Sequence, residues 1–121
     1  MTLRETITQM PIKGWGEWGQ IEEPVLADMK RQLAEHGLVF VKYLPNMFRF
    51  SAVVGNADNT KWIHVSTDDV RQGPEWMDTI RLRRMSSERD WKGDAYHYCV
   101  LERLGEACEE YMDDRYDGEV L

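Results

Sequence analysis

The spacing of apolar residues changes along this chain, and each change predicts a different element. Val25, Leu26, Met29 and Leu33 recur three and four apart, Pro24 suits a first helical turn, and Gly37 after His36 is a stop with Leu38 beyond it. These positions predict a helix over residues 22–36. From Leu38 the period falls to two. The run 38–44 is rich in strand formers, Pro45 and Asn46 make a turn, and over 47–54 Phe48, Phe50, Ala52 and Val54 alternate with Arg49 and Ser51, which predicts a hairpin. After the polar loop 55–60, Ile63 and Val65 face away from Trp62, His64 and Ser66 in a third strand. Gly73, Pro74 and Glu75 then open a second predicted helix. It has acids (Glu75, Asp78) early, arginines (Arg81, Arg83, Arg84) late, and a buried stripe of Trp76, Met77, Ile80 and Met85.

Asp94 is placed to cap a long third helix over 94–115, with Tyr96, Val100, Leu104, Cys108 and Tyr111 on one face and acids on the other. Within it, residues 95–101 stay open between helix and strand. Residues 1–20 contain the run Gly14-Trp15-Gly16-Glu17-Trp18-Gly19, too rich in glycine for regular structure, and read as an arm. Its indoles, Trp15 and Trp18, must land on the core or on a partner. The expectation is one α+β domain over 1–121: a three-stranded antiparallel sheet with three helices, in the order α-β-β-β-α-α, the helices covering one side.

Composition sharpens this. With 121 residues, 42% of them hydrophobic and 31% charged, the chain can bury a core unaided. Cys99 and Cys108, nine apart on one helix, would stand about 13.5 Å apart along its axis, too far for a disulfide. A reducing, cytoplasmic setting is expected, with no membrane span. The charge of −7 is uneven. Residues 102–121 carry eight acids against Arg103 and Arg115, whereas Arg81, Arg83, Arg84, Arg89 and Lys92 cluster between 81 and 92. Trp91 beside Lys92 would offer a stacking surface for nucleic acid, but an acidic chain with arginines at a helix C-terminus argues against that partner.

Signatures of phosphate loops, paired-cysteine motifs, zinc proteases and hydrolase elbows are absent. His97 and Cys99 point apart on a helix and share a face only on a strand, so no metal or other cofactor is expected. His64 shares its strand face with Trp62 and Ser66, and Asp68 and Asp69 follow in the loop after that strand. A general base there needs a nucleophile that the linear sequence does not place.

The stretch Trp62-Ile63-His64-Val65-Ser66, with Gly73-Pro74-Glu75-Trp76-Met77 and Ile80-Arg81 after it, resembles an uncharacterised family of short bacteriophage and prophage proteins. Members read Trp-x-His-Val-Ser, then Pro-x-Trp-x-x-Met and a short helix. The resemblance covers residues 62–84 and stops where that family's closing His-Leu-Trp gives way to the acidic segment. It implies a viral or prophage setting, and hence the cytoplasm of a host cell, without implying any chemistry. In the motif itself, Trp62, His64 and Trp76 could form one cluster pinning strand to helix, or line a pocket at that corner.

The function expected on these grounds is a small phage-type accessory protein that binds a host protein, in the form of an anti-CRISPR or other host-factor inhibitor. Its contact residues would be Glu102, Glu106, Glu109, Glu110, Asp113 and Asp114, carried outward as one ridge, together with Trp15 and Trp18. The alternative is a small hydrolase-like enzyme with its site around His64 and loop 66–69. Self-association through the Gly-Trp arm stays open as well.

Overall fold

The computed structural model describes residues 2–10, 12–87 and 96–118. The N-terminal segment is helical, not an irregular arm. Helix α1 spans Leu3–Thr8, capped by the Thr2 hydroxyl, which accepts from the Glu5 amide. Helix α2 spans Trp15–Glu35, seven residues longer at its start than the expected helix. Its buried stripe Trp18, Ile21, Val25, Met29 and Leu33 is spaced at three and four throughout. Burial of Trp18 and Ile21 outweighs the helix-weakening Gly16 and Gly19 and an internal Pro24, which removes one backbone hydrogen bond. Gly37, at φ +70°, ends the helix as expected.

Strands β1 (Leu38–Tyr43), β2 (Ser51–Asn56) and β3 (Trp62–Ser66) follow. The expected second helix is replaced by two different elements. Pro74–Asp78 makes a 3-10 turn, and Ile80–Met85 is strand β4. Ile80 and Leu82 are fully buried, whereas Arg81 and Arg83 are half-buried, so the period is two. A helix here would have turned one of these arginines into the core, at a desolvation cost the strand avoids.

The expected helix over 94–115 is also corrected. His97–Cys99 is strand β5, Leu101–Arg103 a 3-10 turn, and helix α3 covers only Leu104–Met112. Asp94, the expected cap, lies outside the described residues. Cys99 and Cys108 are therefore not on one helix; both are free and buried, and burial pushes the Cys99 thiol up to about 12.

The fold is α+β with a five-stranded antiparallel sheet in the order β1-β2-β3-β4-β5, in place of the three strands expected. Ala52 and Val54, Ile63 and Val65, Ile80 and Leu82, and Cys99 point to one side, where they meet α2 and α3. The other side carries Ser51 and Val53, Trp62, His64 and Ser66, and Arg81 and Arg83, which stand opposite one another in the register. No helix among the described residues is long and apolar enough to cross a membrane.

Helices α2 and α3 touch through a glycine. Gly105 donates its amide to Gln32 Oε1 at 3.0 Å, and Gln32 Nε2 donates to the Leu101 carbonyl at 2.8 Å. A methyl group at Gly105 would stand 2.6 Å from the Gln32 carbonyl oxygen, a backbone atom that cannot swing away. Gly105→Ala should therefore cost about 1–3 kcal/mol, by analogy with overpacking. By contrast, Gly19→Ala, which meets nothing within 4 Å, should gain about 0.5–1 kcal/mol. Urea midpoints at unchanged m-value measure both.

Candidate functional site

The outer sheet face holds a depression of about 300 Å³ between the β1–β2 connection and β4. Its floor is the central pair of the sheet. Ser51 stands opposite Ser66, and Val53 opposite His64, so Ser51 and His64 lie diagonally across β2 and β3. Ser51 Oγ and His64 Nε2 are 2.8 Å apart and form a buried hydrogen bond. Only 5% of His64 is exposed. Burial, and secondarily the positive charge of Arg83, holds its imidazole below the ordinary histidine value of 6.5. The ring is therefore neutral near pH 7, with Ser51 as its hydrogen-bond partner.

Arginines rim the depression. Arg81 lines it and reaches across to Asp68, with which it is ion-paired. Arg83 stands opposite His64 and donates Nη1–H to the Tyr96 hydroxyl at 3.3 Å, its guanidinium 5.1 Å from that ring's centre. Arg49 comes from the opposite side, out of the turn 46–49. Phe48 in this turn has φ +58°, a left-handed conformation costly for a bulky residue. Its ring is 4% exposed and packs on Trp15 at 5.2 Å and Trp18 at 6.1 Å, which supplies the compensation. The strained residue thus drives its ring inward and leaves Arg49 above the outer face.

The sequence-predicted residues do not all meet. His64 and Trp62 share the outer face, but Trp76 is buried on the other side, stacked on Phe50 at 5.5 Å, so the three form no single cluster. Asp68 reaches the pocket only through Arg81, while Asp69 is held by Arg71 in a two-pronged pair and sits below the usual carboxylate range for that reason. Trp18 belongs to the core, its indole N–H donating to Glu22 at 2.5 Å, whereas Trp15 is 63% exposed. Met47, the residue before Phe48, is 57% exposed. Arg71 lies over the Phe48 ring at 4.0 Å, so Trp15 and Arg71 both pack on one buried ring, with the exposed Met47 preceding it in the chain.

The six acids are not one unmatched ridge. Glu102 is ion-paired with Arg4, Glu106 and Glu110 with Arg103, Asp113 with Arg115 and Asp114 with Arg84, and Glu109 is hydrogen-bonded to His36. They are also spread over a 3-10 turn, a nine-residue helix and the segment after it. Arg4 and Arg103 hold Glu102 and Glu106 below the usual carboxylate value. Arg84, expected in the basic cluster, turns toward α3, and Arg89, Trp91 and Lys92 lie outside the described residues. His97 and Cys99 share the inner face of a strand, where His97 packs edge-on against Tyr111. Among the described residues no three His, Cys, Asp or Glu side chains gather as metal ligands do.

Ser51, Arg49 and Tyr96 were not singled out from the sequence. The alternation in 47–54 already put Ser51 and Arg49 on one side; pairing that strand with 62–66 in register would have set Ser51 beside His64.

Comparison with models of known protein families, with curated proteins and with solved structures finds no match.

Because His64 binds its proton more weakly folded than unfolded, the unfolded chain holds more protons just below pH 6.5. Its contribution is complete above that value and is lost as pH falls through it. Chemical denaturation between about pH 7 and pH 5 should show stability falling with pH, and His64→Gln should flatten that dependence whatever its effect on absolute stability.

Proposed function

We propose that the protein acts by binding another protein and performs no catalysis, as a small phage-type accessory protein directed at a host factor. The observation that carries this reading is the exposed indole of Trp15, packed on the buried Phe48 ring that Arg71 also covers, with the exposed Met47 next to Phe48 in the chain. Tryptophan, methionine and arginine are the residues that concentrate at interface cores. A rigid indole on a packed ring loses little freedom when a partner covers it. The chain's charge of −7 favours a partner whose apolar pocket is rimmed by basic groups. The six paired carboxylates are left as steering charge, not the contact itself, so an inhibitor of the anti-CRISPR kind would engage through the Trp15 face.

Deleting residues 1–20 would remove Trp18 from the core, so point changes are the better test. Met47→Ser should leave folding nearly intact, Trp15→Ala should cost about 0.5–1.5 kcal/mol of stability through the lost Phe48 contact without unfolding the chain, and Trp15→Ala should weaken partner binding by at least about 2 kcal/mol, roughly thirtyfold. The measurement is capture from host lysate by the immobilised protein, with Glu106→Gln as a control that retains the partner. Capture that survives Trp15→Ala contradicts the reading. So does a self-associated species in sedimentation that disappears with Trp15→Ala, since the patch would then serve a second copy of this chain.

A second reading is favoured by one contact, the buried 2.8 Å pair of Ser51 and His64. It supplies the nucleophile next to a neutral imidazole that a hydrolase-like site requires. On that reading Ser51 Oγ attacks an ester's acyl carbon as its proton passes to His64 Nε2, the C=O π bond opens to a tetrahedral alkoxide, and its collapse breaks the ester C–O bond and expels the alcohol, which takes the proton from His64. Turnover of an activated ester probe should then fall to the same residual rate in Ser51→Ala, in His64→Gln and in the double variant, as expected of residues acting as one unit. Turnover retained in Ser51→Ala, with folding unchanged, removes it.

A further inference from the structure

The arginines of this acidic chain are almost all neutralised internally. Among the described residues, every arginine from Arg4 to Arg115 is in an ion pair with a carboxylate except Arg49 and Arg83. Both exceptions stand on the outer sheet face, Arg49 in the lining of the depression and Arg83 beside it, opposite His64 but outside that lining. Arg49 acts on Asp69 only at a distance longer than an ion pair, and Asp69 is already gripped by Arg71. The Arg83 Nε–H is buried and has no hydrogen-bond partner among the described residues. Among the described residues of this net −7 chain, Arg49 lines the cavity and Arg83 stands next to it with neither matched by a carboxylate, which leaves an excess of positive charge on this face. The floor adds polar groups suited to an anion: the Ser66 hydroxyl, and the Ser51 hydroxyl with the neutral His64 ring.

We infer that this depression binds the phosphate group of a small phosphorylated molecule, with Arg49 supplying the direct charge contact, Arg83 adding positive charge from beside the site, and Ser66 and the His64-bound Ser51 the hydrogen-bonding floor. A phosphate fits better than a carboxylate because the donors approach from the hairpin turn, from β4 and from the floor. Three directions suit a tetrahedral group with three oxygens; a planar carboxylate matches one guanidinium fork. A volume of about 300 Å³ also exceeds what the phosphate alone needs, leaving room toward Leu44 and Pro45 for the group that carries it. A long nucleic acid presents the same chemistry, but the surrounding acidic surface opposes a polyanion. The site goes beyond the protein-binding reading and stands whether or not Ser51 and His64 turn over a substrate.

The test is calorimetric or NMR titration of the full chain with inorganic phosphate, a nucleoside 5′-monophosphate, acetate and a single-stranded oligonucleotide. Saturable binding of phosphate and the mononucleotide is expected, with the His64 ring resonances shifting. Affinity should drop at least about fivefold in Arg49→Gln and in Arg83→Gln, and stay unchanged in Arg31→Gln on α2. Thermal unfolding checks each variant. Arg49 is exposed, so Arg49→Gln decides the matter if Arg83→Gln fails to fold. No saturation with phosphate, acetate competing as well as phosphate, or affinity retained in Arg49→Gln overturns the inference. So does an oligonucleotide that binds at least about tenfold tighter than the mononucleotide, since the face would then read a nucleic-acid backbone. Phosphate binding without ester turnover keeps the site and removes only the hydrolase reading.

Discussion

The docking of α2 along one face of the sheet is the contact on which the rest of the molecule depends. Its stripe from Trp18 to Leu33 is almost completely buried, and each such side chain is worth roughly 1.5–3 kcal/mol on transfer from water. Trp18 anchors the start of the helix against Phe48 and Phe50. Gln32, near its end, satisfies the Leu101 carbonyl and the Gly105 amide, which seats α3. Committing one sheet face to this packing leaves the opposite face free of the helices. The period of two then decides which side chains stand there: His64, Ser66, Arg81, Arg83 and Ser51.

That division of labour accounts for where chemistry can occur. On the helical side the polar groups are spent on structure; the acids around α3 hold Arg4, Arg103, Arg84 and His36 and tie the C-terminal segment to the rest. On the outer side a buried serine–histidine pair lies among Arg81, which is paired with Asp68, and Arg49 and Arg83, which have no carboxylate partner among the described residues. The turn 46–49 joins this face to the exposed Trp15, because Phe48 fixes the indole from below while Arg49 leans over the depression. Protein docking and anion binding would therefore share one structural support.

Much of the fold was legible where a single period ran long enough. The stop at Gly37, the hairpin and the third strand follow from apolar spacing, and the alternation in 62–66 assigned His64, Trp62 and Ser66 to one face. What failed were short segments with two readings. Ile80-Arg81-Leu82-Arg83 alternates at period two, but glycine, proline and early acids before it imitate a helix start, and arginines at the end imitate its dipole-matched finish. Residues 15–21 hid their helical state because Gly16 and Gly19 are poor helix formers and Pro24 reads as a first-turn residue, whereas burial of Trp18 and Ile21 carries the helix back to Trp15. The acidic segment reads as one rod because carboxylates spaced along a sequence do not disclose arginines such as Arg4 and Arg84, which arrive from distant elements.

The account stands or falls on residues 80–85 being a strand beside 62–66, since only that pairing brings His64, Arg81 and Arg83 to one face. Backbone nuclear Overhauser contacts across the two strands measure it directly. The account predicts cross-strand contacts for Trp62 with Met85, His64 with Arg83 and Ser66 with Arg81, with extended-backbone carbon shifts along 80–85. Sequential helical contacts over 80–85, without those cross-strand contacts, would contradict it.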